Sequence, residues 1–202
     1  QVQFDIYHHY TTDEHLLLTL HHLSELKKHS FYKEIYSRIS QKFALHVALV
    51  FHDIGKKGPK SHSIYGKELT EKIFERLPLQ DEDQKMALWL IENHLLMSDI
   101  AFKNDSQDPG VIASFTSVAN TAEKINSLFL FTLCDIAAVG PNILNEWKIS
   151  LLRSLLYNSQ DFLQRGLDTN SYSSAVQDSI KTSVLGNVDK SINNFIQKNM
   201  SE

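Results

Sequence analysis

The most apolar stretch of the chain runs from Ala122 to Val139 and is stopped by Gly140-Pro141. Asp135 stands alone in its apolar part, between Cys134 and Ile136. The stretch is no membrane span: Leu128 to Val139 is short against the roughly 20 apolar residues a span needs. It reads instead as a buried helix. An ionised carboxylate buried there without a partner is costly. Asp135 therefore requires either a structural salt bridge, a helix–helix hydrogen bond, or a metal ion.

The rest of the chain is patterned for helices. Seven glycines and four prolines in 202 residues are few, which favours long helices over a sheet with many turns. Thr11-Thr12-Asp13-Glu14 matches a capping box, and Leu16, Leu17, Leu20, Leu23 and Leu26 follow at helical spacing. Further helices are predicted from about Tyr32 to Ile39 and through the apolar run Phe43 to Phe51. The next begins at Ser61 or Ser63, with Ile64, Leu69, Ile73, Phe74 and Leu77 giving it an amphipathic face. Asp81 to Leu96 reads as one helix with Asp81 and Gln84 as its capping pair, and Asp108-Pro109 opens another that runs to about Val118. Asn142 to Arg165 reads as a long helix with Trp147, Leu151, Leu155 and Phe162 on one side. The expectation is an all-α fold of eight or nine helices, with one domain over 1–166 and a linker plus weakly amphipathic tail helix over 167–202.

Composition excludes some functions. A net charge of −4 leaves no footprint for nucleic acid. The one cysteine, Cys134, rules out an internal disulfide framework, fits a reducing, cytoplasmic setting, and reads as a buried, inert thiol. No signal peptide or membrane span is read, and the start at Gln1 suggests a piece of a longer protein.

Phe51-His52-Asp53-Ile54-Gly55-Lys56 places an imidazole, a carboxylate and an ammonium together after an apolar run. His52 and Asp53 can ligate one divalent cation, and Lys56 can neutralise a phosphate held by it. His15 follows a helix cap directly, so helix geometry holds it in place. His15, His52, Asp53 and Asp135 together supply two imidazoles and two carboxylates, a mixture suited to Mg, Mn, Fe or Zn. His62 and His94 sit at helix ends that face the interrupted region after His52. They either complete a second metal position, with Asp53 bridging, or bind phosphate oxygens as imidazolium groups. His8, His9, His21, His29 and His46 read as surface or core residues, and His22 as structural. Residue types and spacing thus point to a metal-dependent phosphohydrolase.

His15, the His52-Asp53 dyad and distant Asp135 in a helical chain resemble the HD-domain superfamily of metal-dependent phosphohydrolases. A narrower resemblance lies in Tyr7-His8-His9-Tyr10-Thr11, Asp13-Glu14-His15, Phe51 to Lys56 and Asn93-His94-Leu95-Leu96-Met97-Ser98. Gln107-Asp108-Pro109, Cys134-Asp135-Ile136, Gly140-Pro141 and Trp147-Lys148 extend it. These look like the HD domain of the bifunctional PII uridylyltransferase/uridylyl-removing enzymes, over about residues 3–166. Ser61, Leu144 and Lys57-Gly58-Pro59-Lys60 depart from that pattern.

The resemblance implies an isolated uridylyl-removing HD domain, hydrolysing uridylyl-tyrosine on the PII nitrogen-signalling protein to release UMP. It implies Mg or Mn as the metal, with His15, His52, Asp53 and Asp135 as ligands and Asp53, Lys56, His62 and His94 in catalysis. Uridylylated PII and the remaining domains of the parent enzyme, including its nucleotidyltransferase domain, are the implied partners. Two alternatives stay open at this point: a phosphohydrolase for a small nucleotide or phosphodiester, and a catalytically silent module linking other domains.

Overall fold

A computed structural model describes residues 10–56 and 61–168. Among them are nine α-helices and no strands: α1 Thr12–Leu26, α2 Ser30–Ser37, α3 Lys42–Phe51, α4 His62–Phe74, α5 Asp81–Asn93, α6 Leu96–Lys103, α7 Pro109–Val118, α8 Ala122–Val139 and α9 Glu146–Asp168. The expected tail helix, the Tyr7-His8-His9 part of the resemblance and Lys57-Gly58-Pro59-Lys60 lie outside the described residues. No helix among those described is long and apolar enough to cross a membrane.

The apolar α8 is the centre of the fold. Leu128, Phe129, Leu130, Phe131, Leu133 and Cys134 are all fully buried, and α8 packs against α1, α2, α3, α5, α6 and α9. Burying each large apolar side chain contributes roughly 1.5–3 kcal/mol, so this helix supplies much of the driving force for assembly. On α3, Ala44, Leu45, Ala48 and Leu49 are buried at helical spacing; α3 packs on α5, and α5 on α4. Arg153 on α9 donates to the Tyr32 hydroxyl at 2.9 Å and lies over the Phe31 ring at 4.7 Å, tying α2 to α9.

Two caps form where the sequence places them. Thr11 Oγ1 accepts from Glu14 N at 3.4 Å, and Asp108 Oδ1 accepts from Gly110 N at 2.7 Å. Other expectations are corrected. The N-cap of α5 is Gln80, so Asp81 is already in the helix, and Gln84 Nε2 donates to the Leu79 carbonyl instead. The predicted Asp81–Leu96 helix breaks at His94, and Leu96 begins a separate α6. Asn93 Nδ2 donates to Trp89 O, and His94 Nδ1 donates to Ile91 O, a carbonyl freed at that break. The last helix starts at Glu146 rather than Asn142, after a turn in which Asn142 takes a φ of 63°. Trp147 is 62% exposed rather than inward, stacked on Phe102, and on the α4 side Ile64 and Leu77 are also exposed.

The turn after α3 is held against α4 by two glycines. A Cβ at Gly55 would overlap the carbonyl oxygen of His62 and the amide nitrogen of Gly66. A Cβ at Gly66 would meet the His52 carbonyl oxygen at 3.3 Å. Neither has a positive φ, so the requirement is close approach of two backbones. That approach places the first turn of α4, which begins with His62, beside the His52-Asp53 turn.

Candidate metal centre

Three helices and one turn bring the ligand candidates together. His15 comes from the first turn of α1, His52 caps the C-terminus of α3, Asp53 follows in the turn, and Asp135 projects from α8. His15 Nε2 lies 3.0 Å from Asp135 Oδ1, 3.4 Å from His52 Nε2 and 3.6 Å from Asp53 Oδ2. His52 Nε2 lies 3.3 Å from Asp135 Oδ1 and 3.4 Å from Asp53 Oδ2. Donors held about 2.1 Å from one cation, at octahedral or tetrahedral angles, sit about 3.0–3.4 Å apart. Each of the two imidazole Nε2 atoms therefore lies 3.0–3.6 Å from a carboxylate oxygen of Asp53 and of Asp135, close to the spacing of neighbouring ligands around a single ion.

The far nitrogens of the rings are already committed. His15 Nδ1 donates to Ala138 O at 3.2 Å, His52 Nδ1 to Leu49 O at 3.0 Å, and His94 Nδ1 to Ile91 O at 2.7 Å. A carbonyl can only accept, so the Nδ1 proton stays on the far side of each ring: a ring that is protonated donates from Nε2, and one that is neutral presents its Nε2 lone pair to a cation, as metal-ligating histidines require. Leu49 O also accepts from Thr19 Oγ1 at 3.5 Å, which joins α1 to α3 behind the site.

Next to this cluster, His62 Nε2 and His94 Nε2 face each other at 3.2 Å. Asp53, His62 and His94 offer ligand atoms within 4.8 Å of one another, as do His15, His52 and Asp53. Asp53 is common to both groups. Lys56 Nζ reaches Asp53 Oδ2 at 2.7 Å. Sequence reasoning placed all six of these residues and Lys56 in one region, and the fold assembles them there. His46 does not join: its Nδ1 donates to Lys42 O at 2.7 Å. His22 packs edge-on against His21.

The electrostatics divide the site. On Asp135, burial pushes the pKa up, but His52 and hydrogen bonds from His15 and His52 hold it well below the ordinary carboxylate range. Burial likewise opposes charge on Asp53, and His52 and Lys56 overcome it, so its pKa is lowered. On His52, burial favours the neutral ring, yet Asp135 and Asp53 outweigh it and raise the pKa. The opposite holds for His94, which burial, reinforced by His52, pushes down to about 4. Burial also lowers His62. Two ionised carboxylates against one lysine leave negative charge for a cation to offset. His15, His52, Asp53 and His94 are buried, whereas Asp135 and Lys56 keep 20% and 22% of their side chains exposed. The site opens to solvent on that edge. Cys134, fully buried beside Asp135, takes no part, because burial pushes its thiol pKa up.

Three residues of the site escaped sequence reasoning. Gly55 reads only as part of the interruption after His52, and Gly66 is given no role, though the two set the approach of α4. Phe131 reads as core, but its ring meets His52 edge-on at 5.2 Å and His94 at 6.0 Å. A signal for Phe131 exists: it stands four residues before Asp135, hence on the same face of α8.

The HD domain family model matches residues 12–138, which includes all seven polar site residues. Among curated proteins, the chain is similar to bifunctional uridylyltransferase/uridylyl-removing enzymes. It is 38% identical to that of Ruegeria pomeroyi over 173 residues, covering 83% of this chain and 19% of the relative. Identity is 36% over 183 residues for Azospirillum brasilense, covering 88% and 20%, and 37% over 174 residues for Vibrio campbellii, covering 83% and 20%. The chain thus spans about one fifth of the length of these relatives.

Proposed function

The chain belongs to the HD-domain family, and from that premise we propose that it is a metal-dependent phosphodiester hydrolase removing UMP from uridylyl-tyrosine on the PII signalling protein. The observation that carries this reading is the pair of imidazoles, far nitrogens fixed on carbonyls, each with its Nε2 3.0–3.6 Å from an oxygen of Asp53 and of Asp135. His15, His52, Asp53 and Asp135 would hold the cation. Their mixed nitrogen and oxygen set suits Mg or Mn, and also admits Fe or Zn. When bound, the cation supplies Lewis acidity that polarises the phosphoryl group and makes water nucleophilic at neutral pH.

The protein's own groups divide the remaining work. Lys56, beside Asp53 and part-exposed, is placed to neutralise charge growing on the phosphoryl oxygens. Asp53 is ionised and can orient the attacking water. The oxygen of water forms the new bond to phosphorus, the bond from phosphorus to the tyrosyl oxygen breaks, and the products are UMP and tyrosine. A phenol with a pKa of roughly 10 leaves without a strong general acid. His94, held neutral with its Nδ1 proton on a carbonyl, cannot donate from Nε2. Its lone pair instead accepts from His62 or ligates a second cation, which supports the bridging role of Asp53 over an imidazolium role for His94.

The relatives' printed names supply the uridylyl-removing activity, and the share of their length covered suits an excised domain of the larger enzyme. The test is direct. Mn-loaded chain incubated with uridylylated PII should release UMP, and His15→Ala and Asp135→Ala should each abolish release. Parent-level release from both variants would remove the site from the reaction.

A further inference from the structure

Beyond the metal centre, α4 carries a second feature. Leu69, Lys72, Ile73, Arg76 and Leu77 recur at steps that keep them on one side, and with Ile54 they line a groove of about 470 Å³. Ile54 and Leu77 are 39% and 42% exposed, whereas Phe74 is buried at 2% in the core. The charged groups of the lining are both cations. Neither Lys72 nor Arg76 forms a salt bridge among the described residues. In a chain of net charge −4, two cations with no salt bridge among the described residues, set over an apolar floor, are complementary to an acidic partner.

Position narrows the partner. Ile54 directly follows Asp53, so the groove begins at the turn that carries the site. Leu69 and Ile73 lie seven and eleven residues along α4 from His62, about 10 and 16 Å at helical rise. A mononucleotide seated at the metal centre does not span that distance, but a polypeptide does.

We infer that this groove docks an acidic segment bearing one or two apolar side chains, belonging to the protein that carries the scissile phosphodiester. The inference rests on the function proposed above and adds where the protein substrate is gripped. The apolar side chain settles between Ile54, Leu69 and Ile73 while Lys72 and Arg76 face the carboxylates. Specificity for a protein-borne phosphodiester then resides on α4, outside the reacting centre.

The experiment compares two substrates on the full 202-residue chain: uridylylated PII and bis(p-nitrophenyl) phosphate, each with Mn. Lys72→Ala/Arg76→Ala should lower kcat/KM for uridylylated PII about tenfold, chiefly through KM, and flatten its salt dependence. Turnover of bis(p-nitrophenyl) phosphate should stay at the parent level, which also shows that the variant folds. Leu77→Ser should act in the same direction, about threefold, and Lys72→Arg/Arg76→Lys should restore most of the loss. Parent-level kcat/KM on uridylylated PII in the double alanine variant would overturn the groove while leaving the proposed function standing. A parent active on bis(p-nitrophenyl) phosphate but not on uridylylated PII would overturn the proposed substrate, and the groove's occupant with it. A dimer of the parent that the double variant dissolves, seen by sedimentation, would assign the groove to a second copy and overturn the inference.

Discussion

Two histidine pairs stand on either side of Asp53, and burial has opposite outcomes in them. His15 and His52 approach at 3.4 Å, and His62 and His94 at 3.2 Å. Asp135 adds a second carboxylate within 3.3 Å of both rings of the first pair, and the pKa of His52 rises despite burial. For the second pair burial prevails, and His94 falls to about 4. Similar rings in similar burial thus differ through the carboxylates beside them. The first pair sits in a negatively charged pocket that attracts a cation, and the second offers lone pairs whose affinity depends on sharing Asp53.

The largest effect should come from removing that asymmetry at its source. Asp135→Asn keeps the shape but deletes the charge, so Mn should no longer copurify at one equivalent per chain. Activity should fall on the order of a thousandfold. Metal content by mass spectrometry, with UMP release, checks this; full occupancy in the variant would place the ion elsewhere. His94→Gln should cost less, about ten- to hundredfold in activity, and leave one tightly held metal per chain. Loss of all metal from His94→Gln would show that the two halves are not separable.

Gly55→Ala attacks the seam between the halves. Its methyl would overlap the His62 carbonyl and the Gly66 amide, so the turn must part from α4. Denaturant unfolding should show about 1–3 kcal/mol of destabilisation, and the second half should lose function before the first. Wild-type stability would contradict the close approach.

Titration of the metal-stripped chain sharpens the same contrast. A histidine whose folded pKa is depressed contributes stability above its unfolded pKa of about 6.5, and that stability is lost as pH falls. For His94 the window runs from about 6.5 down to about 4, with a loss on the order of 3 kcal/mol. His52, with a raised pKa, works in the opposite sense: its contribution is present below about 6.5 and lost as pH rises through the folded value. The lowered carboxylates Asp53 and Asp135 lose theirs only below about 4. His94→Gln should therefore reduce the fall of the denaturation midpoint between pH 6.5 and 4, leaving the smaller part that belongs to His62 and His22, without altering the steeper fall at lower pH.

How much of this was legible depended on whether local rules carried the information. His15 could be read because Thr11 and Glu14 mark where α1 begins, and a residue just inside a capped end has a determined direction. Asp135 could be read because a lone acid in an apolar helix demands a partner. The family could be read from short strings such as Asn93 to Ser98, which keep their order. The α5–α6 break was hidden because no Gly or Pro marks it; the side-chain bond from His94 supplies the stop. Gly55 was read as an interruption, since its reason is the backbone of a helix that begins seven residues later. Phe131 looked like any core aromatic, and Trp147 like an inward one, because periodicity records spacing but not what a face meets.

The central claim is that His15, His52, Asp53 and Asp135 surround one cation. An anomalous-scattering map from crystals grown with Mn tests it most directly. The account expects a peak about 2.0–2.2 Å from His15 Nε2, His52 Nε2 and oxygens of Asp53 and Asp135. A map with no peak there, and the four side chains bonded only to one another, would contradict it.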